Sequence, residues 1–88
     1  MSAALEWTSQ PGDPDRRERV VAETHDRIRL SAYLRPDGEW HVSAQGSGQP
    51  HYRSVSTAAF LRGTAEDAMA AATTLVDRVR RMLAAGAA

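Results

Sequence analysis

Eighty-eight residues, 42% hydrophobic and 25% charged, are enough for one small domain spanning 1–88 and too few for a second core. A formal net charge of zero removes any overall electrostatic pull toward nucleic acid or acidic membranes. The absence of cysteine excludes disulfides and thiolate metal sites, and no apolar run approaches the ~20 residues of a membrane span. Met1-Ser2-Ala3-Ala4-Leu5-Glu6-Trp7 lacks the basic segment and apolar core of a secretory signal, so the expected location is the cytoplasm.

Charge is unevenly distributed. Residues 1–15 hold Glu6, Asp13 and Asp15 and no base, whereas residues 16–35 hold six arginines against Glu18, Glu23 and Asp26. All eleven basic residues are arginine. Together with abundant alanine, this fits a GC-rich coding genome, bacterial or phage.

In chain order, Ala3 to Thr8 is predicted to be a short strand with Leu5 and Trp7 on one face. The turn formers of Ser9-Gln10-Pro11-Gly12-Asp13-Pro14-Asp15 predict a loop. Arg16 to His25 contains Val20, Val21 and Thr24 among charges, which predicts a strand. It either breaks at Thr24-His25-Asp26 or continues as one long bent strand.

Arg27 to Gln45 contains the clearest pattern. Ile28, Leu30, Ala32 and Leu34 alternate before Arg35-Pro36-Asp37-Gly38-Glu39, and Trp40, Val42 and Ala44 alternate after it. Pro36 presets φ for a type I corner, Asp37 suits the next position and Gly38 accepts φ > 0. A hairpin with a G1-bulge turn follows, with Leu34 facing Trp40, Tyr33 facing His41, Ala32 facing Val42 and Leu30 facing Ala44.

Gly46-Ser47-Gly48-Gln49-Pro50 is expected to be a flexible connection, and Tyr52 to Leu61 a further strand. The adjacency of Phe60 and Leu61 implies that both faces are partly covered near its end, or that a bulge separates them. Burial in the core is the expectation for both Trp7 and Phe60.

Thr64 begins the predicted C-terminal helix as N-cap, with Asp67 at the capping-box position and Glu66 opposing the positive end of the dipole. Ala68, Ala72, Leu75, Val79 and Met82 then mark one face, and Gly86 is the expected stop. Asp77 is placed to pair with Arg80 or Arg81. The predicted class is α+β: an antiparallel sheet of three to five strands with one long C-terminal helix packed on one face. The expected core is Ile28, Leu30, Leu34, Trp40 and Val42 against Ala68, Leu75, Val79 and Met82.

Nothing in the sequence spells catalysis. His25, His41 and His51 form no metal-binding pair, no nucleophile elbow is present, and Gly46-x-Gly48 opens no helix as a phosphate loop would. The expectation is a non-enzymatic binding protein with no cofactor, metal or catalytic residue.

One helix covers one face of a sheet, so function is sought on the other. There Arg27, Arg29, Tyr33, Arg35 and His41 are expected to project together. Tyrosine and arginine are enriched at protein hot spots, and contact with a protein needs no net positive charge. A protein partner is therefore expected, with single-stranded nucleic acid bound by the same basic and aromatic face as the alternative. A homodimer through an exposed sheet edge is a further expectation. The concrete form expected of such a small chain is an inhibitor of a bacterial defence complex, of the anti-CRISPR kind.

The run Phe60-Leu61-Arg62-Gly63-Thr64-Ala65-Glu66-Asp67-Ala68 resembles the strand-to-helix junction of HicB-type antitoxins. The order strand, hairpin, strand, helix is similar too. This resemblance implies a partial double-stranded-RNA-binding-like sheet and helix that binds protein or RNA surfaces, and it assigns no functional residue.

Overall fold

The computed structural model describes residues 5–11, 18–48 and 53–87. Five strands precede one helix: β1 Thr8–Pro11, β2 Glu18–Glu23, β3 Arg29–Leu34, β4 Trp40–Gly48, β5 Arg53–Leu61 and α1 Ala65–Ala87. The strands form one antiparallel sheet in chain order, and α1 packs across β3, β4 and β5. The architecture is α+β, with the sheet at the upper limit of the expected strand number.

The β3–β4 hairpin has the register that its turn chemistry dictates. Leu34 pairs with Trp40, Tyr33 with His41, Ala32 with Val42 and Leu30 with Ala44. At its tip the Gly38 amide donates to Arg35 O at 2.9 Å and the Arg35 amide donates to Glu39 O at 2.8 Å. Gly38 supplies the left-handed residue, with φ at 88°.

The β2–β3 connection repeats this turn with different residues. The Arg27 amide donates to Thr24 O and the Thr24 amide to Ile28 O, both at 3.0 Å. Arg27 stands where Gly38 stands in the other turn and takes φ of 65°. The segment therefore breaks into two strands instead of bending as one. Thr24 Oγ1 accepts from the Ile28 amide at 3.0 Å and donates to Asp26, so side chains supply part of the closure that glycine supplies elsewhere.

Helix α1 begins with a reciprocal capping box. The Thr64 amide donates to Asp67 Oδ2 at 3.0 Å, and the Asp67 amide donates to Thr64 Oγ1 at 3.1 Å. The same junction is tied to the sheet, because Trp40 Nε1 donates to Gly63 O at 3.1 Å. About four turns later Arg80 bonds Asp26 in the β2–β3 turn, so the helix is pinned at both ends of the sheet.

The core lies between α1 and the sheet. Ile28, Leu30, Ala32, Trp40, Val42, Ala44 and Val55 are buried against Ala68, Ala72, Leu75, Val76 and Val79. Leu34 and Met82, expected at its centre, are half-buried at its margin, as are Leu5 and Trp7. Small residues on both sides bring helix and sheet close. A Cβ at Gly46 would lie 3.2 Å from Val79 Cγ1 and 3.3 Å from Ile28 Cγ1.

That close approach explains one departure from the sequence reading. Gly46-Ser47-Gly48 is not a loop but the end of β4, with a glycine where the helix allows no side chain. A second departure concerns residues 8–11, which form an edge strand despite Pro11. An edge position demands hydrogen bonds on one side only, and Pro11 ends the pairing. Third, α1 runs past Gly86 to Ala87. Fourth, β5 has no bulge: it pairs one-to-one with β4 from Arg53 to Leu61. Residues 1–4, 12–17, 49–52 and 88, including His51 and the first two residues of the expected first strand, lie outside the described residues, and Leu5 to Trp7 of that expected strand precede β1.

Candidate functional site

The pleat sends alternate side chains of every strand away from α1. On that face the pairing aligns Arg19, Tyr33, His41 and Phe60 in one row across β2 to β5. The Tyr33 and His41 rings lie 4.9 Å apart, and the His41 and Phe60 rings 5.0 Å apart, both pairs tilted. The Arg35 guanidinium lies 5.5 Å from the Phe60 ring centre and donates to Glu39 Oε1 at 3.3 Å. Phe60 remains 55% exposed. This overturns the expectation that it is buried. Leu61 takes the core-facing position, and β5 presents its neighbour outward.

One step along the strands, the next row is Thr8, Val21, Ser31, Ser43 and Ala58. These are small or short side chains, and Ser31 Oγ and Ser43 Oγ lie 3.2 Å apart. The third row is Glu23, Arg29, Gln45 and Ser56. A low row between two taller ones leaves an open concavity of about 670 Å³, lined by Arg19, Arg29, Thr8, Val21, Ser31 and Ser43, with Glu6 and Glu23 at its side. A second concavity of about 620 Å³ continues toward the β2–β3 turn along Arg27, Arg29, Gln45, Ser47 and Ser54.

The five residues singled out from the sequence do not form one cluster. Tyr33 and His41 adjoin, and Arg35 joins them through Phe60. Arg29 stands two rows away beside Glu23 and Gln45. Arg27 lies outside any strand, in the β2–β3 turn, because its left-handed backbone ends the alternation. Its exposed side chain borders the second concavity.

Sequence reading missed Phe60 and Arg19. The phase of β5 settles Phe60, and only its register with His41 reveals that phase. Arg19 enters the row through its pairing with Tyr33, and its Nε, buried against the sheet, has no hydrogen-bond partner among the described residues.

Three chemical properties follow. The face offers an apolar aromatic anchor, arginine donors on either side of a trough, and carboxylates at the trough margin. Among the described residues no group of three histidines or acids is placed to hold a metal ion. None of the described helices is long and apolar enough to cross a membrane.

Compared with protein-family models, curated proteins and solved structures, the chain finds no match. The likeness to HicB-type antitoxins rests on residues 60–68, whose structural content is the capping box of α1, and on the order of strands and helix.

Proposed function

We propose that the chain is a non-enzymatic binding protein that docks a protein partner on the helix-free face of its sheet. The observation that carries this reading is the exposed Phe60 set in a row with His41 and Tyr33 and flanked by the Arg35 guanidinium. Aromatic and arginine side chains grouped beside a concavity are what dominate binding energy at protein interfaces. Zero net charge and the mixed signs around the trough suit a protein surface better than a polyanion. A cytoplasmic inhibitor of a bacterial defence complex is one form this activity takes, and that narrower reading rests on size and composition alone.

The test is capture of a stoichiometric partner from a GC-rich bacterial host by the immobilised chain after nuclease treatment. Phe60→Ala and Tyr33→Ala should each weaken capture at least tenfold, while Glu66→Ala on the helix leaves it unchanged. Capture that is indifferent to Phe60 and Tyr33 would remove the reading.

A second reading has its own observation. Arg27 and Arg29 make no ion pair among the described residues and border the second concavity, with Arg29 two rows from the aromatic row. Single-stranded nucleic acid would use such arginines for phosphates and the rings for stacking. Binding of a labelled oligonucleotide that falls steeply with salt and is lost in Arg29→Ala would favour it over the protein partner.

A further inference from the structure

The sheet has two edges, β1 and β5, and they are built differently. β1 pairs over four residues and ends at Pro11. β5 pairs over nine residues, contains no proline and keeps an unbroken register with β4. After Arg53 it carries no charge. In a strand the backbone groups alternate between its two sides, so about half of those on β5 point away from β4. No strand or loop among the described residues takes them up. Short length, proline, charge and bulges are the usual protections of an edge, and Ser54 to Leu61 has none of them.

We propose that β5 pairs antiparallel with β5 of a second copy of this chain, about a two-fold axis through Thr57, joining two sheets into one of ten strands. The register is self-complementary. Thr57 meets Thr57, Val55 meets Ala59, Ser56 meets Ala58 and Ser54 meets Phe60, each residue opposing one that faces the same side of the sheet. A shift of one position would oppose core-facing to outward-facing residues. An axis at any other residue leaves part of the nine-residue strand unpaired. No like charges meet, because Arg53 lies opposite Leu61. The partner is a second copy because an isologous contact requires a segment that complements itself, which this one does along its whole length.

The axis stands perpendicular to the sheet, so both helices lie on one side and both helix-free faces on the other. On that open side, the low row ending in Ala58 continues into Ser56, Gln45 and Arg29 of the second copy. Each trough therefore meets the taller row of the other copy at the joint, and the open face extends over ten strands spaced roughly 4.8 Å apart. The pairing stands independently of what docks on the open face, and its failure leaves the proposed function untouched.

Sedimentation equilibrium at about 100 µM tests it: the expected mass is twice the 9.6 kDa of one chain. Since the chain has no cysteine, Thr57→Cys should cross-link to a covalent dimer on mild oxidation. Directly opposed Cα atoms lie ~4.5–5.5 Å apart, within disulfide reach. Ser54→Cys should not cross-link, as it faces Phe60. Ser56→Lys combined with Ala58→Lys sets like charges opposite each other and should weaken the dimer at least tenfold. Ser56→Lys combined with Ala58→Asp sets opposite charges there and should keep it. Both positions are exposed, and circular dichroism of each variant confirms that the sheet is intact. A monomer at 100 µM would overturn the proposal. So would a dimer indifferent to the paired lysines, or one that cross-links through Ser54 instead of Thr57.

Discussion

Arg80 grips Asp26 through two nitrogens, Nε to Oδ2 at 2.9 Å and Nη2 to Oδ1 at 3.1 Å, and so fastens the helix to the β2–β3 turn. The arginine holds the Asp26 carboxyl well below the ordinary carboxylate range, with the Thr24 hydroxyl adding to the effect. Asp77 lies farther from the same guanidinium, at 3.8 Å. A depressed folded-state pKa adds stability that is present above the unfolded value, near pH ~4, and is lost as pH falls through the folded value. Both side chains are about two-fifths exposed, so solvent screening limits the loss in Asp26→Asn to about 1 kcal/mol. Urea titrations should show that loss at pH 7 and a much smaller gap between variant and parent at pH 2. An equal gap at both pH values would mean that the ion pair contributes nothing.

The equivalence of Arg27 and Gly38 gives a matched pair of substitutions. A side chain held at positive φ costs about 1 kcal/mol relative to glycine, partly offset by the greater freedom of glycine when unfolded. Arg27→Gly should therefore leave stability unchanged or raise it by up to ~1 kcal/mol. Gly38→Ala should lower it by about 1 kcal/mol or more, since the added Cβ also lies 3.3 Å from Arg62 Nη1. Chemical denaturation of the two variants checks the prediction by its opposite signs.

Gly46 sits under the helix with Val79, Ile28 and Leu83 within 3.4 Å of where a Cβ would stand. Valine favours strands generally, yet Gly46→Val should destabilise by about 1–3 kcal/mol, because the close-packed helix must shift to admit it. Ser47→Val, on the exposed side of the same strand, should be nearly neutral. Thermal melts of the two variants separate a packing effect from strand propensity.

The capping box makes a third kind of demand. Thr64→Ala removes the acceptor for the Asp67 amide and should cost about 1 kcal/mol. Thr64→Ser should retain most of it. Hydrogen exchange should place the loss in the first turn of α1, and loss spread evenly along the helix would contradict the assignment.

Much of the fold is legible locally. Pro36, Asp37 and Gly38 specify one turn, the turn sets the β3–β4 register, and Thr64 with Asp67 marks the start of α1. Each of these interactions links residues no more than four apart, so the sequence by itself determined the hairpin, its two faces and the helix. The second turn was hidden because Arg27 occupies its left-handed corner, and its stabilising partner, Arg80, lies 54 residues away from Asp26. Gly46 and Gly48 read as loop residues until the helix lies over them. Tyr33 and His41 could be placed on one face from their own hairpin. Phe60 could not, because a strand's phase relative to its neighbour is decided by pairing. Only the tertiary structure made the row from Arg19 to Phe60 and the uncovered β5 edge, since both arise where separately encoded strands meet.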